Sequence, residues 1–148
     1  MKILLDTNMI VRLSNPLDQD FVLTVEVLTK LWDAGHQLTI TAQNIVEFTA
    51  VATRPVKNNG LGSTSAEAEQ QAQIFESKFH FIADDSTIFP NWKTIVAGSQ
   101  VLGKHVHDAR LVAVAVSAGV DAILTFNTVH FQRLCAASGL QLLDPRTF

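Results

Sequence analysis

Residues 2–8, Lys-Ile-Leu-Leu-Asp-Thr-Asn (KILLDTN), decide how the rest of the chain is read. Ile3, Leu4 and Leu5 form a short unbroken apolar run, the pattern of a central strand buried on both faces. The run stops at Asp6, with Asn8 two positions on. A carboxylate at the end of a buried strand is costly unless something cationic meets it. What meets Asp6 is the chemical question the chain poses.

Outward from this strand (residues 2–6), the pattern alternates between helix and strand. In FVLTVEVLTKLWDAG (21–35), Phe21, Val25, Leu28 and Leu31 recur at helical spacing and Gly35 ends the run. HQLTI (36–40) predicts a short strand, and TAQNIVEFTAVATR (41–54) a helix that stops before Pro55. PVKNNGLG (55–62) is a loop on its composition. Thr64 and Glu67 make a capping-box pattern that opens a polar helix to about Lys78. FHFIA (79–83) predicts a third strand, followed by a helix beginning near Pro90 at the first helical position. DAILTFN (121–127) predicts a fourth strand, FQRLCAASG (131–139) a helix and LQLL (140–143) the last strand.

The segment LVAVAV (111–116) is ambiguous, because its alternation and its valines also suit a strand. The span from Asp108 to Ala118, the alanines and the stop at Gly119 favour a fully buried helix. Strands alternating with helices predict an α/β fold: βα units, right-handed crossovers and a mainly parallel sheet.

Bulk composition narrows the class further. With 148 residues, 47% hydrophobic and 17% charged, one domain spanning residues 1–148 has enough apolar material for a core. No apolar stretch approaches a membrane span, and no cleavable leader pattern opens the chain. The single cysteine, Cys135, excludes an internal disulfide, reads as a buried small residue and fits a reducing cytoplasm. A net charge of −3 argues against gripping nucleic acid by overall field, though not against local phosphate contacts or a metal that reverses the sign of an acidic pocket.

In a parallel α/β sheet, strand C-termini and the N-termini of the following helices share one edge, where ligands collect. Asp6 and Asn8 end the first strand, Glu47 lies in the second turn of the helix after the second, Asp108 starts the helix before the fourth, and Thr125 and Asn127 end the fourth. Each has a plainer explanation. Asp6 could cap the next helix, and an acid at a helix start such as Asp108 is favoured by the dipole. Glu47, flanked by Val46 and Phe48 with no lysine or histidine nearby, is harder to dismiss. Three acids meeting from distant segments suit a hard divalent cation, Mg²⁺ or Mn²⁺, which takes oxygen ligands. Such an ion polarises a phosphoryl oxygen and activates a water, so phosphodiester hydrolysis is the expected chemistry.

Taken together in order and spacing, LLDTN, NIVEFTAVATRP, NGLG, HVHDARLVAVAVSAG and ILTFNTVHF resemble the PIN-domain family over nearly the whole chain. The resemblance implies a three-layer α/β/α sandwich and a Mg²⁺- or Mn²⁺-dependent ribonuclease, commonly the VapC-type toxin of a toxin–antitoxin pair. Carried over by position, the catalytic and metal-binding acids are Asp6, Glu47 and Asp108, with Asn8 orienting Asp6 and with Thr125 and Asn127 in support. Where the family often has a fourth acid, this chain has Asn127, which offers an oxygen without charge. A single well-held ion is therefore expected.

Other residues weigh less. Arg110 and Lys57 are candidates for substrate phosphate, although an ion pair with an acid explains Arg110 more simply, and a plain turn explains the Lys57 loop. His107 and His130 flank the same edge and read more simply as packing or a cap than as acids for a leaving oxygen. Trp32, Trp92, Phe126 and Phe131 read as core or interface rather than as base-stacking platforms. The alternative to an RNA-cleaving toxin is a catalytically weak or inactive module that binds RNA or protein. A receiver-type signalling domain fits poorly, because LLDPRTF (142–148) supplies Arg146 where a lysine is needed. Positive mean hydropathy and the resemblance both point to a homodimer, and the resemblance adds an antitoxin protein as a possible partner.

Overall fold

A computed structural model describes residues 1–148. Five strands, β1 (Lys2–Leu5), β2 (Gln37–Thr41), β3 (His80–Ile82), β4 (Ala122–Leu124) and β5 (Gln141–Leu143), form one sheet in the order β3-β2-β1-β4-β5. Every pairing is parallel, with Leu4 beside Thr39 on one side and Ile123 on the other. Seven helices complete the chain: α1 (Thr7–Leu13), α2 (Phe21–Asp33), α3 (Ala42–Thr53), α4 (Ser65–Lys78), α5 (Ile88–Ser99), α6 (His105–Ser117) and α7 (Thr128–Ser138).

The two-residue period of the strands divides the core. Ile3 and Leu5 of β1, Leu38 and Ile40 of β2 and Leu124 of β4 pack with Met9, Val27, Phe48 and Phe75 from α1–α4. Leu4 and Ile123 pack on the other face with Ile88, Val112, Phe131 and Leu134 from α5–α7. The result is the expected α/β/α sandwich. α1–α4 carry the chain outward through β2 and β3, and α5–α7 return it through β4 and β5, so right-handed crossovers put the two helix sets on opposite faces. The order in which strands are added reverses between β1 and β4, the adjacent parallel strands at the switch point.

LVAVAV is helical. Leu111 to Ala115 are all buried because α6 lies between the sheet and α5 and α7, which removes the polar face that helical periodicity would need. The Thr64–Glu67 capping box forms, with both reciprocal bonds present.

Several boundaries differ from the sequence expectation: β3 and β4 are shorter than the stretches that announce them, and α7 starts three residues early, at Thr128. α1 follows β1 directly and was not separable as a helix, since seven residues are too few to display a period. α5 starts at Ile88, two residues before Pro90, because any first-turn N–H lacks an intrahelical partner and proline is tolerated there. α6 starts at His105, so Asp108 is its fourth residue rather than its first.

Candidate active site at the sheet switch point

Asp6 occupies the N-cap position of α1, yet its side chain makes no capping bond. Instead it is buried at the end of β1, and Oδ2 accepts from Asn8 Nδ2 and from Thr125 Oγ1, both at 2.6 Å. Oδ1 receives no side-chain donor. Thr125 joins the site from the end of β4, and its hydroxyl also accepts from Asn8 Nδ2 at 3.0 Å and from the Asn127 amide at 2.9 Å. The Asn8 carbonyl accepts the Phe126 N–H at 3.3 Å, which settles the orientation of its amide. Asn8 and Thr125 thus clamp one carboxylate oxygen across the switch point.

Glu47 has two neutral partners. The Thr7 hydroxyl donates to Oε2 at 2.5 Å and Gln43 Nε2 to Oε1 at 2.8 Å. Local folding explains the alignment. Thr41 and Asn44 build a capping box at the start of α3, and buried Asn44 donates to the Leu5 carbonyl at 3.0 Å and to Thr7 Oγ1 at 3.2 Å. These bonds hold the first turn of α3 against the end of β1 and bring Glu47, one turn later, opposite Thr7. Gln43 Nε2 also donates to the His107 carbonyl at 2.9 Å, which ties α3 to the first turn of α6 beside Asp108.

Asp108 and Glu47 both act on Asp6 by charge, but the three carboxylates do not draw together within 4.8 Å as His105, Asp108 and His130 do. The Asp6 carboxyl is pushed up from 3.8 to about 6, first by burial, with the charges of Asp108 and Glu47 adding to it. The Thr125 hydroxyl and the Thr7 amide oppose that rise without cancelling it. No lysine or arginine pairs with Asp6 or Glu47; the arginines near them are committed elsewhere. Asp108 Oδ2 lies 3.0 Å from His105 Nδ1 and 3.8 Å from His130 Nδ1.

A family model for the PIN domain matches residues 3–137. The chain belongs to the PIN-domain family. Among curated proteins compared by sequence, none matches this PIN domain. Its fold is similar to that in the DNA-bound VapBC structure from Salmonella typhimurium, at 17% identity and a TM-score of 0.71, with 98% of each chain covered. It is also similar to VapBC2 from Rickettsia felis bound to a promoter DNA fragment, at 17% identity and a TM-score of 0.68, covering 97% of this chain and 98% of that one. Mycobacterium tuberculosis VapC20, a toxin that cleaves the sarcin–ricin loop, aligns at 14% identity and a TM-score of 0.62 over 94% of this chain and 96% of its own. At these identities the likeness is one of fold.

The remaining candidates of this PIN domain are placed differently. Arg110 forms the ion pair with an acid that explained it more simply: Nη2 is 2.7 Å from Asp84 Oδ2, and Nη1 donates to Gln43 Oε1 at 3.1 Å. Lys57 is not at the carboxylates. It lies in a single 3-10 turn beyond the C-terminal end of α3, at the sheet edge opposite the switch point, where Leu61, Gly62 and Ser63 fold back onto Val51, Arg54 and Ala52. Asn127 is exposed, and its backbone amide, not its side chain, bonds Thr125. Trp92 donates its indole N–H to the Val106 carbonyl at 2.9 Å, and Trp32 stacks on Phe79. Cys135 is buried, and burial pushes its thiol up to about 11, so it packs as an apolar side chain.

The sequence reading missed Thr7, Gln43, Asn44 and His105. Thr7 follows Asp6 directly and Asn44 stands three residues after Thr41, a spacing that signals a cap. Gln43 carried no such signal, since a neutral residue on a helix becomes informative only when its partners are known.

Proposed function

We propose that this PIN domain is a metal-dependent endoribonuclease that hydrolyses RNA phosphodiesters as the toxin of a toxin–antitoxin pair. The observation that carries the reading is Asp6: a buried carboxyl, clamped through one oxygen, raised to about 6 beside Glu47 and Asp108 with no cationic side chain to neutralise it. A hard divalent cation fits this donor set, because all three ligands offer oxygen and Asp6 Oδ1 is free of side-chain donors. Asp6, Glu47 and Asp108 would hold Mg²⁺ or Mn²⁺. When bound, such an ion polarises a phosphoryl oxygen and lowers the pKa of a coordinated water.

The protein's own residues supply position and charge. Asn8 and Thr125 fix the Asp6 carboxylate, and Thr7 and Gln43 fix both oxygens of Glu47, so these two acids are already oriented when substrate arrives. Without a cation the same three charges repel a phosphodiester, which makes cleavage conditional on the metal. RNA as substrate, an antitoxin as partner, a homodimer and a cytoplasmic setting follow from the family reading. No helix is long and apolar enough to cross a membrane, and Phe89, stacked on Trp92, leaves apolar surface for a partner to cover.

The test is RNA cleavage by the full chain in Mn²⁺ and Mg²⁺ over a panel of transfer, ribosomal and messenger RNAs. Cleavage is expected, with loss in chelator and in Asp6→Asn. A native protein as inert as the variant across the panel would refute it. The neutral Asn127 favours the second reading, a module that binds RNA or protein without turnover, and RNA retained uncleaved in the same experiment would select it.

A further inference from the structure

Asp108 faces two ways. Its charge acts on Asp6, while its Oδ2 meets two imidazoles that the proposed hydrolysis does not use. His105 and Asp108, three residues apart on α6, share a helix face, and His130 reaches them from the first turn of α7. The two rings meet edge to face with centroids 4.6 Å apart. One ligand atom from each of the three residues lies within 4.8 Å of the others.

We propose that His105, Asp108 and His130 form a separate transition-metal site, taking Zn²⁺ in preference to Mg²⁺, whose occupation withholds Asp108 from Asp6 and Glu47. Zinc holds imidazole nitrogen and carboxylate oxygen at about 2.0–2.2 Å in tetrahedral sites, which puts neighbouring ligand atoms about 3.3 Å apart. The Asp108 Oδ2 separations from the two Nδ1 atoms, 3.0 and 3.8 Å, bracket that value. His130 is partly exposed and at the start of its helix, so its ring can close the remaining gap. The donor set selects the metal class, because imidazole suits zinc whereas magnesium prefers an all-oxygen octahedron. Two histidines and one carboxylate also leave the fourth position for water.

Proton balance is simple. In the tautomer with hydrogen on Nδ1, the 3.0 Å contact between His105 Nδ1 and Asp108 Oδ2 has that proton between nitrogen and oxygen. Zinc takes its place, and the proton moves to Nε2, which no protein group contacts. An open groove walled by Val101, Leu102 and Arg133 leads to both rings and provides the entry path. Zinc binding itself does not depend on the nuclease reading; the withdrawal of Asp108 matters for catalysis only if that reading holds.

The experiment titrates the metal-free full chain with ZnCl₂ by calorimetry and records the visible spectrum of the Co²⁺-loaded protein. One zinc per chain is expected, retained in Asp6→Asn and weakened by about tenfold or more in His105→Ala and in His130→Ala. The Co²⁺ band of a four-coordinate site is expected in the native protein and absent in His130→Ala. Equal melting temperatures without metal show that the variants are folded, since both rings lie at the surface. No zinc binding, unchanged affinity in either histidine variant, or loss in Asp6→Asn overturns the site. Stoichiometric zinc is further expected to suppress Mn²⁺-dependent RNA cleavage by the native protein and not by His130→Ala. Cleavage that persists with zinc bound overturns the withdrawal of Asp108. A protein that cleaves no RNA defeats the proposed function, while the zinc titration still decides this site.

Discussion

Thr125 Oγ1 donates to Asp6 Oδ2 at 2.6 Å, joining the ends of β4 and β1, residues 119 apart in sequence. The same hydroxyl accepts from Asn8 and from the Asn127 amide, so one group on a fully buried residue serves three partners. Its donation also lowers the Asp6 carboxyl against the upward push of burial. A neutral side chain thus helps fix the position of Asp6 and moderates the rise that burial imposes on its carboxyl.

Thr125→Val keeps the shape and removes the hydroxyl. The Asn127 N–H then loses its acceptor, and the Asp6 carboxylate loses a donor. A destabilisation of about 1–3 kcal/mol in thermal melts is expected, together with a fall of about 10–100-fold in metal-dependent cleavage. Thr125→Ser restores both. If Val and Ser variants cleave RNA alike, the hydroxyl has no role in orienting Asp6.

Asp6 also makes stability depend on pH. The unfolded chain loses this proton near 3.8, the folded chain near 6. Between those values the native state keeps a proton that the unfolded state has released. The group's stabilising contribution is thus complete below the lower value and is lost as pH rises through the upper one. Asp6→Asn, which never ionises, should melt higher than the native protein at pH 8 without metal, by up to about 3 kcal/mol, with the gap closing towards pH 4. A constant difference across that range would show that ionisation of Asp6 is not the cause.

The missing fourth acid gives a further expectation. Asn127 is exposed next to Thr125, with no charge to offer a second ion. Calorimetry should find a single Mn²⁺ per native chain at the carboxylates, bound more tightly in Asn127→Asp, because a carboxylate adds charge where an amide offers only a dipole. Two equivalent Mn²⁺ ions in the native protein would contradict this.

How far the sequence carried the structure depends on what kind of signal each residue gave. Ile3, Leu4 and Leu5 announce a two-faced strand because burial on both sides demands an unbroken apolar run, and Asp6 stands out by ending it. Asp6, Glu47 and Asp108 could be placed on one edge because charged residues near strand ends have few alternatives. The polar links between them were illegible for a physical reason. Thr7 and Gln43 are neutral, tolerated on any helix face, and acquire meaning only from partners some 40 and 64 residues away. His105 was lost because α6 begins a turn before its buried residues, which start at Ala109, at a segment without a capping residue. Arg110 was legible only as one of two alternatives, of which the structure shows the ion pair, with Asp84.

Gln43 and Arg110 test whether that ion pair acts through Glu47. Asp84 holds Arg110 Nη2, Arg110 Nη1 donates to Gln43 Oε1, and Gln43 Nε2 donates to Glu47 Oε1. Gln43→Ala leaves Glu47 with Thr7 alone and should lower kcat/KM about tenfold or more, as loss of a group that orients a metal ligand does. Its effect on stability should stay within about 1 kcal/mol, because the side chain is partly exposed. Arg110→Ala should cost less by itself and add nothing further in the Gln43→Ala background, since both changes break one chain of contacts. An arginine that held RNA phosphate directly would behave otherwise: its loss would raise KM and would multiply with the loss at Gln43. A double-mutant cycle on kcat and KM separates the two, and additive losses would return Arg110 to the substrate.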